Sequence, residues 1–211
     1  EISDGRLYKA SDMVKADCGG CNGCSRCCHG MGNSIILDPY DVYRMTTGMG
    51  KSMQELLAAS VELNVVDGVI LPNLKMQGTK EACAYLDEEG RCSIHPYRPG
   101  ICRLFPLGRY YENGGFSYFL QTGECAKENR SKIKVSKWID TPDLTRNQQF
   151  TLQWHDLLHA MEERLTGEDE GKQQEENLLL LRLFYLLPYK GTTDFYSQFT
   201  ERMEYWNEQI R

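Results

Sequence analysis

The cysteines near the start of the chain constrain its fold more than any other feature. Five of them lie within eleven residues and are interleaved with glycines: Cys18, Cys21, Cys24, Cys27 and Cys28. Such a stretch buries little apolar surface and lacks the periodicity of a helix or a strand, so a hydrophobic core cannot order it. Thiolates three residues apart in a glycine-rich loop can turn towards one centre, as they do in zinc and iron–sulfur sites. The spacing therefore predicts a metal centre.

Further along the chain, four more cysteines can supply remote ligands: Cys83, Cys92, Cys102 and Cys125. The alternative is a disulfide framework, which forms in oxidising compartments rather than in the cytosol. The cysteine number is odd, and the adjacent Cys27 and Cys28 are awkward partners for disulfide pairing. The first residues show no export-signal pattern, so we expect a cytoplasmic protein whose thiols bind metal.

The charge of the chain argues against a nucleic-acid partner. The formal net charge is -6, whereas binding to phosphates needs clustered lysine and arginine. The longest apolar run, residues 178–187, is interrupted by Arg182 and is well short of the roughly twenty residues that span a bilayer. We therefore expect neither nucleic-acid binding nor membrane insertion.

The pattern of turns and apolar residues predicts an α+β fold. We expect an irregular cysteine-rich metal-binding region with short β-hairpins and helices over residues 1–130. A helical C-terminal region, residues 131–211, is expected to pack on it as part of one compact unit and to offer a docking surface for a protein partner. Because the metal replaces apolar core in the first region, the helices have to supply most of the hydrophobic contacts.

Local signals place the elements more closely. Asp67-Gly68 and Asn113-Gly114-Gly115 predict hairpins, and a third hairpin is expected to bring Cys83 and Cys92 together. Helices are predicted from Asp38-Pro39 and over residues 143–165 and 193–210, while the charged residues 168–176 are interpreted as a linker. Gly48 to Ser52 superficially matches a phosphate-binding loop, but Met45 stands where that loop needs glycine. A capping box of Ser52 and Glu55 explains the segment better.

Three histidines are weaker candidates for metal binding. His155 and His159 lie one helical turn apart, as in the H-E-x-x-H metal helix, but Asp156 replaces the glutamate of that motif. His29 follows Cys28 directly, and an imidazole can replace a thiolate in a zinc site. For all three, packing or surface exposure is the simpler interpretation.

Several separated motifs resemble one known family. The chain contains Cys21-x2-Cys24-x2-Cys27-Cys28, then Cys83 to Cys92 ending in R-C-S-I, then Arg98-Pro99-x2-Cys102-Arg103-x-Phe105-Pro106 and a late Cys125. In this order they resemble the YkgJ-type cysteine-cluster proteins, which have a zinc- or iron-chelating domain. The resemblance covers residues 21–125 and implies that these eight cysteines bind metal. Cys18 is an addition to the family pattern, and His95 stands where the family often has tyrosine.

The identity of the metal stays open between an iron–sulfur cluster and zinc. Eight thiolates suit two tetrahedral zinc sites or one to two clusters, because each takes about four ligands. The unbroken step of three favours a cluster, although the run lacks the Cys-Pro that closes the bacterial ferredoxin motif. The adjacent Cys27 and Cys28 are expected to point apart and to serve different centres. Arg98 and Arg103 lie beside ligands in sequence and are candidates to bind the cofactor by offsetting thiolate charge.

Three functions follow from these patterns. The leading hypothesis is a metal-binding protein that holds an iron–sulfur cluster or zinc and has a redox or metal-handling role. The same cysteine cluster occurs in flagellin lysine N-methylases, so a protein-modifying enzyme that uses S-adenosylmethionine is the first alternative. No glycine-rich nucleotide-binding fingerprint supports it. A structural zinc module is the second alternative.

Overall fold

The computed structural model describes residues 2–19, 24–127 and 129–210, and it combines short strands with helices. The strands are β1 (Met13–Asp17), β2 (Val61–Val66), β3 (Val69–Leu74), β4 (Met76–Gln77), β5 (Ala82–Cys83), β6 (Leu107–Glu112), β7 (Gly115–Leu120) and β8 (Ser131–Lys134). The α-helices are α1 (Pro39–Met49), α2 (Met53–Ala59), α3 (Gly100–Leu104), α4 (Val135–Ile139), α5 (Leu144–Leu165), α6 (Glu170–Leu181) and α7 (Phe195–Gln209). Single 3₁₀ turns cover Arg26–Cys28 and His95–Tyr97, and a π-turn covers Arg182–Leu186. The strands pair antiparallel in twos, β1 with β8, β2 with β3, β4 with β5 and β6 with β7. The predicted α+β class is confirmed.

Internal contacts divide the chain into two units. The first comprises residues 1–32 and 76–152, and the second comprises residues 33–75 and 153–211. Every described cysteine belongs to the first unit. The division of the sequence near residue 130 stays a prediction.

Two of the three strand pairs in the first unit, β1–β8 and β6–β7, form its core. In β1, Val14 and Ala16 are buried while Met13 and Lys15 are exposed, the alternation of a strand with one covered face. The β6–β7 hairpin turns through Asn113 and Gly114, whose φ angles of 50° and 69° are those of a type I′ turn. The core of the unit combines both pairs with α3 and α4 through Val14, Ala16, Leu104, Leu107, Tyr118, Leu120, Val135 and Ile139.

The second unit is helical apart from one hairpin. That hairpin pairs β2 with β3 and turns through Asp67 and Gly68, at φ angles of 51° and 81°, as the sequence predicts. Its helices begin with side-chain caps: Asp38 accepts a hydrogen bond from the Asp41 amide at 2.8 Å. Ser52 and Glu55 form a reciprocal capping box at α2, so the structure confirms that interpretation of the Gly48 to Ser52 segment.

Aromatic side chains from α5, the π-turn and α7 form the core of the second unit. Phe184 packs against Trp154, Phe199 and Trp206, with ring centroids 5.1 to 6.1 Å apart. At the end of the π-turn, the Arg202 guanidinium donates to the carbonyl oxygens of Leu183, Leu187 and Pro188 at 2.7 to 3.0 Å. These bonds satisfy carbonyls that a helix end leaves without intrahelical partners.

One local prediction was wrong. Residues 168–176 are not a linker, because Asp169 caps the Lys172 amide at 3.1 Å and starts α6 at Glu170. The polar composition there reflects the exposed first turns of a helix. The predicted hairpin over residues 83–92 forms as a short turn: Leu86 bridges to Cys92, and the Asp87 and Ser93 amides donate to the Arg91 and Tyr85 carbonyls, both at 2.9 Å, while β5 pairs back with β4.

Within the described residues, no helix is both long and apolar enough to span a bilayer.

Candidate metal centre

The N-terminal cysteine segment begins where β1 ends. Asp17 orders this end through both carboxylate oxygens, which accept bonds from the Gly19 amide at 2.9 Å and the Ser131 hydroxyl at 3.0 Å. Cys18 follows directly, and Cys21 lies outside the described residues. Cys27 and Cys28 then occupy one 3₁₀ turn, which is closed by the Cys28 amide donating to Ser25 at 2.8 Å. This turn fixes the two adjacent thiols close together.

The second cysteine segment is a tight loop between Cys83 and Cys92. The Leu86 amide donates to the Cys83 carbonyl at 2.9 Å, and the Asp87 amide donates to the Arg91 carbonyl at 2.9 Å. The Asp87 carboxylate accepts from the Arg91 amide at 2.7 Å and stabilises the turn. Because Leu86 also bridges to Cys92, the two ends of the loop lie close to each other.

One antiparallel bridge joins the two segments. His29 pairs with Ala82, and the Gly30 amide donates to the Glu81 carbonyl at 2.9 Å. In an antiparallel register, the pair before His29 and Ala82 is Cys28 opposite Cys83. The bridge therefore places the adjacent cysteines Cys27 and Cys28 next to the start of the loop from Cys83 to Cys92.

The pKa values of these thiols show that they interact. The pKa of Cys27 is lowered, first by a hydrogen bond from the Cys28 thiol and also by the Arg98 charge, against the opposing effect of burial. The same hydrogen bond raises the pKa of Cys28, to which burial and the charges of Cys27, Cys83 and Cys92 add. The expectation that Cys27 and Cys28 point apart was therefore wrong, because a 3₁₀ turn places their sulfurs within hydrogen-bonding reach.

Cys83 and Cys92 belong to the same network. Burial is the main cause that raises the pKa of each thiol, and each is also raised by the charge of Cys27. Backbone amides act in the opposite direction: Tyr85 donates to the Cys83 sulfur and Ile94 donates to the Cys92 sulfur. We refer to Cys27, Cys28, Cys83 and Cys92 as the vicinal set.

These two amides were missed by the sequence reasoning, although each lies two residues after a cysteine. Amide hydrogen bonds to a sulfur favour its ionised form, which is the form that binds metal. The signal for them in the sequence is a cysteine followed two residues later by a residue whose backbone amide is available to donate, here Tyr85 and Ile94. The two amides, and Arg98 at Cys92, offset part of the burial that raises the pKa of Cys83 and Cys92.

A second group of cysteines lines a small cavity of about 20 Å³. Its lining residues are Cys18, Cys24, Cys27 and Cys125, with Arg26, Phe105, Pro106, Glu124, Ala126, Lys127 and Trp138. The Trp138 indole donates to the carbonyls of Leu104 and Phe105, both at 3.2 Å, which holds the ring against the end of α3. We refer to the four cysteines as the cavity set, and Cys27 is common to both sets.

The remaining predicted site residues lie in different surroundings. Cys102 is half-buried in α3, and the adjacent Arg103 is buried with its guanidinium donating to the Asp140 carbonyl at 3.2 Å. The charge of Arg98 lowers the pKa of both Cys27 and Cys92. A ligand role for Cys21 and Cys102, and a cofactor role for Arg98 and Arg103, stay predictions.

The histidines have local partners instead. The two ring nitrogens of His29 lie 3.4 Å from the Ser25 hydroxyl and 3.4 Å from the Lys80 carbonyl. His155 and His159 share one face of α5 with their rings 6.4 Å apart, and they lie beside Asp156 and Glu163. These contacts account for the histidines without metal.

The described thiols are not arranged as a finished metal site. Among residues 2–19, 24–127 and 129–210, no three cysteine, histidine or acidic side chains are placed to hold an ion. None of the eight described cysteines forms a disulfide, and all are half-buried. The donor set nevertheless fits zinc or iron chemically, because both metals take thiolate ligands and the four thiols of the vicinal set influence one another's pKa. Metal sites of this kind commonly close only when the ion binds.

Comparison with known proteins supports the metal assignment. One family model matches residues 20–150, more than half of the chain, and its description is CxxCxxCC, "Putative zinc- or iron-chelating domain". The matched segment extends past Cys125 into α5, further than the sequence motifs indicate. No curated protein and no solved structure matches the chain. The conclusion from the cysteine pattern and the family match is that this chain belongs to the CxxCxxCC family of zinc- or iron-chelating domains.

Proposed function

We propose that the vicinal set binds an iron–sulfur cluster and that the protein has a redox or metal-handling role. The observation that carries this proposal is the mutual interaction of four thiols from two distant segments, Cys27 and Cys28 with Cys83 and Cys92. Half-buried thiols that repel one another as thiolates are unfavourable in the absence of a cation. A bound metal converts this repulsion into attraction.

The surrounding residues support binding of an anionic sulfur cluster. The Tyr85 and Ile94 amides donate to Cys83 and Cys92, while Arg98 supplies a nearby positive charge. Hydrogen bonds to sulfur, net charge and solvent exposure are the means by which a protein sets the potential of such a cluster. When bound, the cluster would supply one-electron transfer. The residues of this chain would hold it and offset its charge.

Zinc is the second candidate, because tetrahedral sites with four thiolates suit it equally well by ligand type. No described feature favours a methyltransferase, so we do not propose that activity.

The metal content of the purified protein tests the proposal. The full chain is purified without oxygen, and its iron, acid-labile sulfide and zinc are measured beside its visible absorption. We expect a brown protein with iron and sulfide in equal amounts and absorption that bleaches on exposure to air. Cys83→Ser and Cys92→Ser should each lose most of the iron. A colourless protein with stoichiometric zinc would replace the cluster by the second candidate, and a protein without metal would refute both.

A further inference from the structure

The second unit contains a groove that has no cysteine in its lining. It is bounded by the end of α6, the π-turn, the segment after that turn and α7, and its volume is about 540 Å³. All of its lining residues belong to the second unit. Sites for small organic molecules usually have volumes of about 300–1,000 Å³. The groove therefore has the size of a small-molecule site.

Much of the groove wall is apolar. Five side chains provide this surface: Leu179, Leu183, Leu187, Pro188 and Tyr205. Leu187 and Tyr205 are each 49% exposed, although both are large and hydrophobic. Covering such side chains removes apolar area from water, which favours a ligand that has an apolar body.

Two buried polar side chains fix the shape of the groove. The Arg202 guanidinium, which donates to the carbonyls of the π-turn and the segment after it, lies 3.6 Å from the centroid of the Tyr189 ring. The Gln198 side chain accepts from the Lys190 amide at 2.8 Å and donates to the Lys190 and Thr193 carbonyls, both at 3.1 Å. These bonds hold the segment after the π-turn against α7. The wall is therefore formed before a ligand binds, which lowers the entropic cost of binding.

The groove also carries positive charge that the protein does not neutralise. Arg182, the first residue of the π-turn, and Lys190 both line the groove with exposed side chains. Neither side chain forms an ion pair or a hydrogen bond within residues 2–19, 24–127 and 129–210. Burial lowers the pKa of Arg202, and the charge of Glu201, the acidic residue in the lining, is among the causes that oppose this shift. Glu201 thus acts on Arg202, and the charges of Arg182 and Lys190 remain to attract an anion.

We propose that this groove binds a small amphipathic carboxylate, with its apolar body against Leu183, Leu187 and Tyr205 and its head group bound by Arg182 and Lys190. A carboxylate has two acceptor oxygens, and a guanidinium can donate to both. The local backbone agrees with a binding role, because π-turns occur frequently at functional sites and this one supplies Arg182 and Leu183. The proposal is independent of the metal centre.

Decanoate is the probe for this groove. The full chain, as purified, is titrated with decanoate by isothermal titration calorimetry below the concentration at which decanoate forms micelles. We expect saturable binding of a single decanoate. Acetate lacks the apolar body and decyltrimethylammonium carries the opposite charge, so each should bind at least about tenfold more weakly. Changes in backbone amide chemical shifts should be concentrated in residues 179–205.

Variants at exposed positions identify the head-group ligands. Arg182→Gln and Lys190→Gln should each weaken decanoate binding about tenfold, because each removes a charge-assisted hydrogen bond. Lys51→Gln is the matched control: it removes the same charge from an exposed side chain that lines a different cavity of the second unit, of about 340 Å³. It should leave the affinity unchanged. Urea unfolding of each variant checks that the fold is retained.

Three results would overturn the proposal. The unmodified chain could show no saturable binding of decanoate, or it could bind decyltrimethylammonium as tightly as decanoate. Binding could also be weakened by Lys51→Gln and not by Arg182→Gln or Lys190→Gln, which would place the carboxylate in the other cavity. Because the readout is decanoate affinity and not metal content, failure of the metal proposal would leave each of these results interpretable.

Discussion

The Cys28 thiol donates a hydrogen bond to the sulfur of Cys27, and the two adjacent side chains consequently differ in acidity. The donated bond stabilises the Cys27 thiolate and keeps the proton on Cys28. Within the metal-free protein, one member of the vicinal pair is therefore the preferred nucleophile. Metal binding would remove this difference because both sulfurs would become ligands.

Reactivity of the metal-free protein tests this arrangement. At pH 7 iodoacetamide should modify Cys27 several-fold faster than Cys28, because the thiolate is the reactive form. Cys28→Ala should slow the modification of Cys27, since the pKa of Cys27 rises when the donor is lost. Peptide mass spectrometry over pH 5 to 9 measures both rates. Equal rates for Cys27 and Cys28 in the unmodified chain would contradict the asymmetry.

Arg98 offers an electrostatic version of the same experiment. Arg98→Gln should raise the pKa of Cys27 and Cys92 and slow the alkylation of both. At Cys27 the effect should be smaller than that of Cys28→Ala, because the Arg98 charge lowers the pKa of Cys27 less than the Cys28 hydrogen bond does. Arg91→Gln is the matched control, since Arg91 is exposed in the nearby turn and its charge is not among the causes of either shift. Equal slowing by both variants would mean that the alkylation rate depends on the net charge of the region and not on the position of Arg98.

Asn177 connects α6 to the turn between β2 and β3, and its loss should destabilise the second unit. Its buried amide accepts from the Ile70 amide at 2.6 Å and donates to Gly68 and Gln173 at 3.2 and 2.9 Å. Asn177→Ala removes the partner of the half-buried Ile70 amide and of the exposed Gly68 carbonyl, which should cost about 1–2 kcal/mol in the free energy of unfolding. Urea unfolding measures the loss.

Asn207→Ala provides the control for this substitution, because Asn207 is exposed on α7 and should change stability by less than about 0.5 kcal/mol. If the two variants unfold at the same urea concentration, the connection through Asn177 contributes nothing.

Buried tyrosines should make the second unit sensitive to alkaline pH. Burial raises the pKa of Tyr185 well above its usual value, and its hydroxyl donates to the Leu37 carbonyl at 3.0 Å. The unfolded chain loses this proton at a pH of about 10, before the folded protein does, so the unfolded state binds fewer protons above that pH. The free energy of unfolding should therefore fall as the pH rises beyond about 10.

Tyr185→Phe isolates this contribution. It should cost about 0.5–1.5 kcal/mol at pH 8 through the lost hydrogen bond, yet reduce the slope of stability against pH above 10. Part of the slope should remain, because burial also raises the pKa of Tyr189. Urea unfolding between pH 8 and 11 measures the slope, and a slope unchanged by the substitution would count against the assignment.

Gly108 is required by a close contact across the β6–β7 hairpin. It lies opposite Phe119, and a Cβ atom at Gly108 would be 2.3 Å from the ring. Gly108→Ala should therefore destabilise the protein by about 1–3 kcal/mol as the ring is displaced. Gly115→Ala in the same hairpin is the control, because its nearest neighbour would be 3.8 Å away. Thermal unfolding of both variants should separate them by several degrees, and similar midpoints would contradict the contact.

Local sequence was sufficient wherever an element is decided by its own residues. Asp67-Gly68 and Asn113-Gly114 specify hairpins because they tolerate positive φ. Asp38 and Ser52 specify helix starts because their side chains bond to amides three residues on. The cysteine spacing likewise indicated a metal-chelating domain, which the family match supports.

Only the tertiary structure decided which thiols meet. The bridge from His29 to Ala82 sets Cys28 beside Cys83, and the pairing of β1 with β8 directs Cys18 and Cys125 to one end of a strand pair. The tertiary structure also decided that the Arg103 guanidinium donates to the Asp140 carbonyl. Such contacts depend on registers between distant segments, and no single segment carries enough information to specify its register with another. Residue spacing determined that this chain has ligands for metal, and the strand pairings determined how those ligands are grouped.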